Sequence, residues 1–337
     1  MSISKIISSI LFFSFFIACS KKSNPPAPIP IVTPPVVVTP LITLPAGWKV
    51  ASSFTSNFPS GMQLYSFDTI FNTQKIKAYC LAYNSNNTSI EFKPVLSATA
   101  KTPSDFYTSE PGLTYVCING GYFGGNQSFS LVKYNSVVSS ANIKSLTRVY
   151  NGSNTSYYPT RGAFGISAAG VPSVAWVYNV GSGNDLIYSY PLPSANELNV
   201  APQPIPTETF PTSGTVWNTT SAIGGSPVLI KNNAIQISDK EELISINNTT
   251  SRPRSAIGYL INGMVLVLVV EGDNAPNYPG INLADLAAIL KSLGCVEALN
   301  LDGGGSSSMI VNNTKLIRPG DNGVERSVIS AILIKKK

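Results

Sequence analysis

The stretch Leu299-Asn300-Leu301-Asp302-Gly303-Gly304-Gly305-Ser306-Ser307-Ser308-Met309-Ile310-Val311 puts a carboxylate at the end of one apolar run and leads into another. Both flanks read as buried strands, so the Gly/Ser insert is a strand-end turn and not a flexible linker. Glycine admits φ > 0 and close backbone approach to a ligand, and serine adds hydroxyls and main-chain N–H donors. Gly303, Gly304, Gly305, Ser306 and Ser307 are therefore expected to hold an anion beside the fixed carboxylate of Asp302. No Lys follows the glycines and no Gly sits at the upstream P-loop position, which excludes that motif.

Just upstream, Asn282 is placed to cap a helix with Asp285 three residues on. Leu283, Leu286, Ile289, Leu290 and Leu293 recur at helical spacing and Gly294 closes it. That stripe is core packing. Asn262-Gly263 between the apolar runs 256–261 and 264–270 predicts a type I′ hairpin, with further turns at Ala169-Gly170, Asn232-Asn233 and Asn312-Asn313. A second helix is expected around residues 103–108, and the proline-bearing loop 179–217 is long enough to border an active site. The pattern predicts an α+β fold: one catalytic domain over 46–337, with mixed, largely antiparallel sheets and a few packed helices.

Four more segments join the Asp302 turn: Asn119-Gly120-Gly121-Tyr122-Phe123, Ile223-Gly224-Gly225-Ser226-Pro227-Val228-Leu229, Arg252-Pro253-Arg254-Ser255-Ala256-Ile257-Gly258 and Glu325-Arg326-Ser327-Val328. In this order and spacing the chain resembles the phosphodiester glycosidase family, from about residue 67 to 334, with the motifs inside 113–334. The resemblance implies hydrolysis of a sugar-1-phosphodiester, releasing a sugar and a phosphate monoester. One departure stands out: Glu271-Gly272-Asp273 occupies the place where relatives commonly show Asp-Gly-Arg, so a basic phosphate ligand is expected to be missing there.

Cleaving the anomeric C–O bond of such a diester leaves a phosphate monoester whose second pKa is about 6, so the leaving group needs little protonation. The site must instead neutralise phosphate and steady an oxocarbenium-like centre, work for a guanidinium and a carboxylate. Arg254 and Arg326, each beside apolar strand residues, are the phosphate candidates. Asp302 is the candidate nucleophile or base, with Glu271, Asp273 and Glu325 open as the second carboxylate. Asn119, with Gly120, is a candidate to hold a sugar hydroxyl. Structural alternatives stand beside these: Arg254 paired with Glu271, Arg326 paired near Glu325, Asp302 as an Asx-turn residue, and Asn119-Gly120 as a plain turn. Two rival activities also stand, a non-catalytic glycan binder and a metal phosphodiesterase cleaving P–O.

The 337-residue chain is 43% hydrophobic and 12% charged, enough to bury a large core. A net charge of +6, part of it in Lys335, Lys336 and Lys337, argues against nucleic acid as a partner. With no histidine, a Ser-His-Asp triad and every His-ligated metal site are excluded. No cofactor is required by the expected chemistry. A structural Ca²⁺ is conceivable from the hard oxygens of Asp302, Asp273 and Asn300, although no Asp-x-Asp-x-Asp loop occurs and the metal is left open.

Lys5 followed by the apolar stretch 6–18 reads as a signal peptide, and Phe16-Ile17-Ala18-Cys19 as a lipobox that makes Cys19 a lipidation site. Residues 19–45, rich in proline, read as an extended tether that holds the domain off a bacterial envelope membrane, facing a phosphoglycan or other sugar-1-phosphodiester. A plain secretory signal is the alternative. Of the remaining cysteines, Cys80 and Cys117 are the expected disulfide, and Cys295 is an apolar filler.

Overall fold

Met264–Val270 reads MVLVLVV, and all seven residues are buried. An unbroken run of β-branched and leucine side chains suits a strand covered on both faces. Its odd residues Val265, Val267 and Val269 enter one core, while Leu266, Leu268 and Val270 enter another. The computed structural model describes residues 38–337, and the signal stretch, Cys19 and most of the proline tether lie outside the described residues.

The strand belongs to an eight-stranded sheet that also holds Met62–Phe71, Gln74–Asn84, Arg254–Leu260, Cys295–Asn300 and Val228–Lys231. A seven-stranded sheet centres on Pro172–Asn179, Arg161–Ile166 and Ser221–Gly224. A five-stranded sheet centres on Thr114–Asn119, Val328–Lys336 and Met309–Val311. The largest core draws on all three, with Leu81, Val267 and Leu299 meeting Phe164 and Trp176 and also Ile118, Met309 and Ile332. Every strand pairing among the described residues is antiparallel, which corrects the expectation of mixed sheets.

The helical share is smaller than an α+β class implies: two α-helices serve a β-dominated body. Helix α1 (Pro103–Ser109) starts at a capping box in which Asp105 N donates to Thr102 Oγ1 at 3.1 Å and Thr102 N to Asp105 Oδ2 at 3.2 Å. Helix α2 (Leu283–Ser292) is capped by Asn282, whose Oδ1 accepts from Asp285 N at 2.8 Å, and Gly294 follows it at φ +95°. Its leucine stripe covers the face of the eight-stranded sheet formed by Ala256, Leu266 and Leu268. None of the described helices is long and apolar enough to cross a membrane.

Three local expectations change. The hairpin at Asn262-Gly263 exists, but its loop spans Ile261, Asn262 and Gly263, and only Gly263 has positive φ. It is thus a three-residue turn and not type I′. True two-residue turns with both φ positive occur at Asn232-Asn233 and Asn312-Asn313. The domain also begins before residue 46, because Leu41 N donates to Gln63 Oε1 and Tyr65 Oη, each at 2.9 Å, and Ile42 is buried. Finally, Cys80 and Cys117 are not paired. They sit on different sheets in different cores, and all three described thiols are free and buried, with burial pushing each one up.

Candidate active site

Asp302 lies where the eight-stranded and five-stranded sheets meet. Leu301 N donates to Ser255 O at 2.9 Å, continuing the eight-stranded sheet, and Asp302 N donates to Gly120 O at 3.2 Å, reaching the end of the five-stranded one. Its Oδ1 accepts from Gly303 N at 2.9 Å. Burial pushes the Asp302 carboxyl up to about 6, against smaller pulls downward from Ser306, the Gly303 amide and Arg326. A carboxyl poised near neutrality at a strand end is the kind of group catalysis uses.

In the Gly/Ser turn the hydroxyls of Ser306 and Ser307 are buried without a partner, while most main-chain amides are used within the fold. Gly304 N donates to Pro253 O at 2.9 Å, Ser306 N to Gly303 O at 3.2 Å, Ser307 N to Gly304 O at 3.1 Å and Ser308 N to Asn119 Oδ1 at 3.3 Å. Those amides face inward and shape the turn. Only Gly304 has positive φ, at +59°. Gly305 is required for space, since a Cβ there would lie 2.2 Å from Asp321 Oδ1 and 2.4 Å from Arg326 Nη2.

Several expected ligands have most of their polar groups engaged within the protein. Asn119 is buried, its Nδ2 donating to Asp302 O at 2.7 Å and Gly120 O at 3.2 Å while its Oδ1 accepts from Ser255 Oγ and Ser308 N. The amide has nothing left for a sugar hydroxyl and positions Asp302 instead. Gly120 is a close-packing residue, since a Cβ would sit 2.4 Å from Ser330 Oγ. Arg254, 2% exposed, gives its guanidinium to the carbonyls of Ile246, Asn247, Thr250 and Ile281. It pairs with neither phosphate-site partners nor Glu271. Glu271 instead accepts from Arg318 N at 2.9 Å and Asn274 Nδ2 at 3.0 Å, beside Lys77 at 3.3 Å. Arg326 grips Asp321 in two bonds of 2.7 and 2.8 Å over Gly305. Of the three second carboxylates, Glu325 alone bonds the Asp302 turn, accepting from Ser308 Oγ at 2.7 Å.

Two side chains given no role in the sequence reading complete the site. Tyr122 Oη donates to Ser226 O at 2.6 Å and accepts from Asn300 Nδ2 at 2.8 Å, with Leu301 O at 3.3 Å, so it stands against the chain one residue before Asp302. Burial pushes its phenol well up. Tyr122 also lines a cavity of about 330 Å³ together with Arg161, Ser226 and Asn142. Arg161 is 8% exposed, its Nε has no partner, and its one hydrogen bond is a long one of 3.5 Å to Ser226 Oγ. Burial presses its pKa downward, as expected for a cation lacking a contacting anion. Behind it, Glu242 is saturated by Gly162 N, Val228 N, Ser226 Oγ, Ser238 Oγ and Trp176 Nε1. The signal for Arg161 was a basic residue opening the otherwise small and apolar strand Arg161–Ile166, the same cue that singled out Arg254. The loop 179–217 contributes no lining residue to this cavity. Its strands Ile187–Tyr190 and Thr215–Val216 extend the seven-stranded sheet.

The family model for phosphodiester glycosidase matches residues 114–335, a span that holds Tyr122, Arg161, Arg254, Asp302 and Arg326. The chain belongs to the phosphodiester glycosidase family. Among curated relatives, it is 32% identical over 112 residues to the bovine N-acetylglucosamine-1-phosphodiester alpha-N-acetylglucosaminidase, a match covering 33% of this chain and 20% of that one. It is 37% identical over 82 residues to the SPbeta prophage-derived protein YomE of Bacillus subtilis, covering 24% and 12%. The chain thus spans a minor part of these relatives. The zebrafish N-acetylglucosamine-1-phosphodiester alpha-N-acetylglucosaminidase catalytic domain, solved as auto-inhibited by its pro-peptide, shares the fold at TM-score 0.55 and 17% identity, over 86% of this chain and 88% of that one.

Where phosphodiester glycosidases commonly carry Asp-Gly-Arg, Asp273 sits at φ +50° and meets Arg252 Nη1 at 3.3 Å. Asp273 is thereby taken up in an exposed ion pair, and a guanidinium stands at this edge after all, supplied by the segment just before the strand Arg254–Leu260. Among the described residues no three His, Cys, Asp or Glu side chains gather as a metal site. Asn300, a suggested calcium ligand, points its Nδ2 at Tyr122 Oη and at the carbonyls of Ser226 and Leu301.

Proposed function

We propose that this member of the family hydrolyses a glycosyl phosphodiester at the anomeric C–O bond, with an N-acetylglucosaminyl phosphodiester as the reference substrate class, by analogy with the names of its bovine and zebrafish relatives. The observation that carries this reading is a pair of groups near Tyr122: a partly buried carboxyl held near 6 at Asp302, and a buried guanidinium at Arg161 without an ion-pair partner among the described residues. A buried cation whose only nearby carboxylate, Glu242, makes no direct contact with it is costly, and an arriving phosphate lowers that cost. Phosphate at Arg161 would leave the sugar toward Asp302, which acts as nucleophile or base, with Glu325 as the second carboxylate. Water supplies hydroxide to the anomeric carbon and its proton ends on solvent or the phosphate monoester, so atoms balance without a cofactor.

The reading extends to place. A lipidated Cys19 and a proline tether would present the domain to envelope or external phosphoglycans, supported by the lipobox-like Phe16-Ile17-Ala18-Cys19. Turnover in ¹⁸O-labelled water tests the chemistry: label in the free sugar supports it. Label in phosphate would mean P–O cleavage, and no turnover with retained binding would mean a glycan binder. Arg161→Gln is expected to raise KM at least about tenfold, from loss of a charge-assisted phosphate contact.

A further inference from the structure

We infer that the phosphate group leaves this site carrying an apolar aglycone, alkyl- or aryl-like, and not a second sugar. This rests on the glycosidase reading above. Two residues lining the cavity beside Tyr122 carry buried donors that the protein leaves unused, Arg161 Nε and Asn142 Nδ2, the latter residue 5% exposed. An acceptor-rich anion satisfies both at once, as unpaired buried donors demand. At the outer rim Arg148 uses its Nη1 on Thr147 O at 2.9 Å and leaves the rest of its guanidinium open to the same anion.

Beyond these cations the wall is apolar: Phe123, Phe129, Ile143 and Leu146 line it, and no carboxylate does. A pyranose needs acceptors for its hydroxyls, and of the lining serines the two buried ones, Ser130 and Ser226, are already committed, which leaves the exposed Ser245 hydroxyl alone uncommitted. Ser130 Oγ accepts from Tyr122 N at 2.8 Å, and Ser226 Oγ donates to Glu242 Oε2. An alkyl or aryl chain asks for none of this and gains from covering the wall, each buried methylene being worth roughly a fourfold gain in affinity.

Calorimetry on the intact protein with methyl phosphate and hexyl phosphate tests the aglycone half of the site without requiring turnover. Hexyl phosphate is expected to bind at least about tenfold more tightly. Leu146→Ser, at a partly exposed position on the Leu146–Tyr150 strand, should bring the hexyl-to-methyl ratio toward one, and Arg161→Gln should weaken both probes. Equal affinities, binding of neither probe, or a hexyl preference that survives both Leu146→Ser and Phe129→Ser would overturn the inference. The ¹⁸O experiment judges the glycosidase reading separately, so hexyl preference with label in phosphate would sink that reading alone.

Discussion

Asn119 and Asp302 are 183 residues apart in sequence and joined in space, the Asn119 amide donating to the Asp302 carbonyl oxygen at 2.7 Å. The same amide oxygen collects Ser255 Oγ and Ser308 N, so one buried side chain ties the first strand of the motif region to the turn that carries the carboxylate. Asn119→Ala should leave these donors unsatisfied and cost about 2–4 kcal/mol of stability. It should also lower kcat more than it raises KM, because it misplaces Asp302 without touching the phosphate. Urea unfolding together with steady-state kinetics checks both; a stable variant with normal kcat would end the positioning role.

Arg254 separates structure from binding. Its guanidinium serves four carbonyls on residues 246–250 and 281. Lysine, a single point charge, cannot reproduce that fork. Arg254→Lys is expected to lose about 2 kcal/mol or more of stability while KM for a phosphodiester stays within about twofold. A large KM change at unaltered melting temperature would return Arg254 to the phosphate.

Glu242 is the complementary case, a carboxylate with donors on both oxygens and no exposure. Glutamine would aim an N–H₂ at donors already in place. Glu242→Gln should cost roughly 2–4 kcal/mol, read as a fall in the urea midpoint; an unchanged midpoint would show that the network tolerates a neutral group.

Much of this was written in the chain. The position of Asp302 at a strand end before a tight turn was legible from the apolar runs and glycines around it, and α2 because its cap, stripe and closing glycine agree. The all-antiparallel pairing was half legible: hairpin signals were there, but Met264–Val270 is buried on both faces and carries no alternation to show its neighbours. What sequence could not show was who satisfies whom. Arg254 and Asn119 read as ligands and Glu271 as a second carboxylate, but the fold spends their hydrogen bonds on neighbours that spacing does not reveal, backbone and side chain alike. Arg161 was given no role because the lack of a partner is a property of three dimensions. Cys80 and Cys117 both lie in strands, and only the sheet assignment shows that they face different cores.

Asp302 offers the sharpest test because its pKa couples stability to turnover. With a folded value of about 6, above the ordinary aspartate value of about 3.9, the folded protein holds this proton more tightly than the unfolded chain. Stability therefore rises as pH falls from about 6 toward 4, and at pH 7 the desolvated charge is a net cost on the order of 3 kcal/mol. Asp302→Asn removes that cost. It should be more stable than the parent at pH 7 to 8, and the gap should close near pH 4. Turnover runs the other way: the parent's kcat/KM should climb through pH 6 to a plateau as the carboxylate ionises, and Asp302→Asn should lose at least about a hundredfold in kcat. Melting curves and initial rates from pH 4 to 8 decide it. A rate that falls through pH 6 would make Asp302 the acid, and a folded Asp302→Asn protein with near-normal turnover would make it a turn residue.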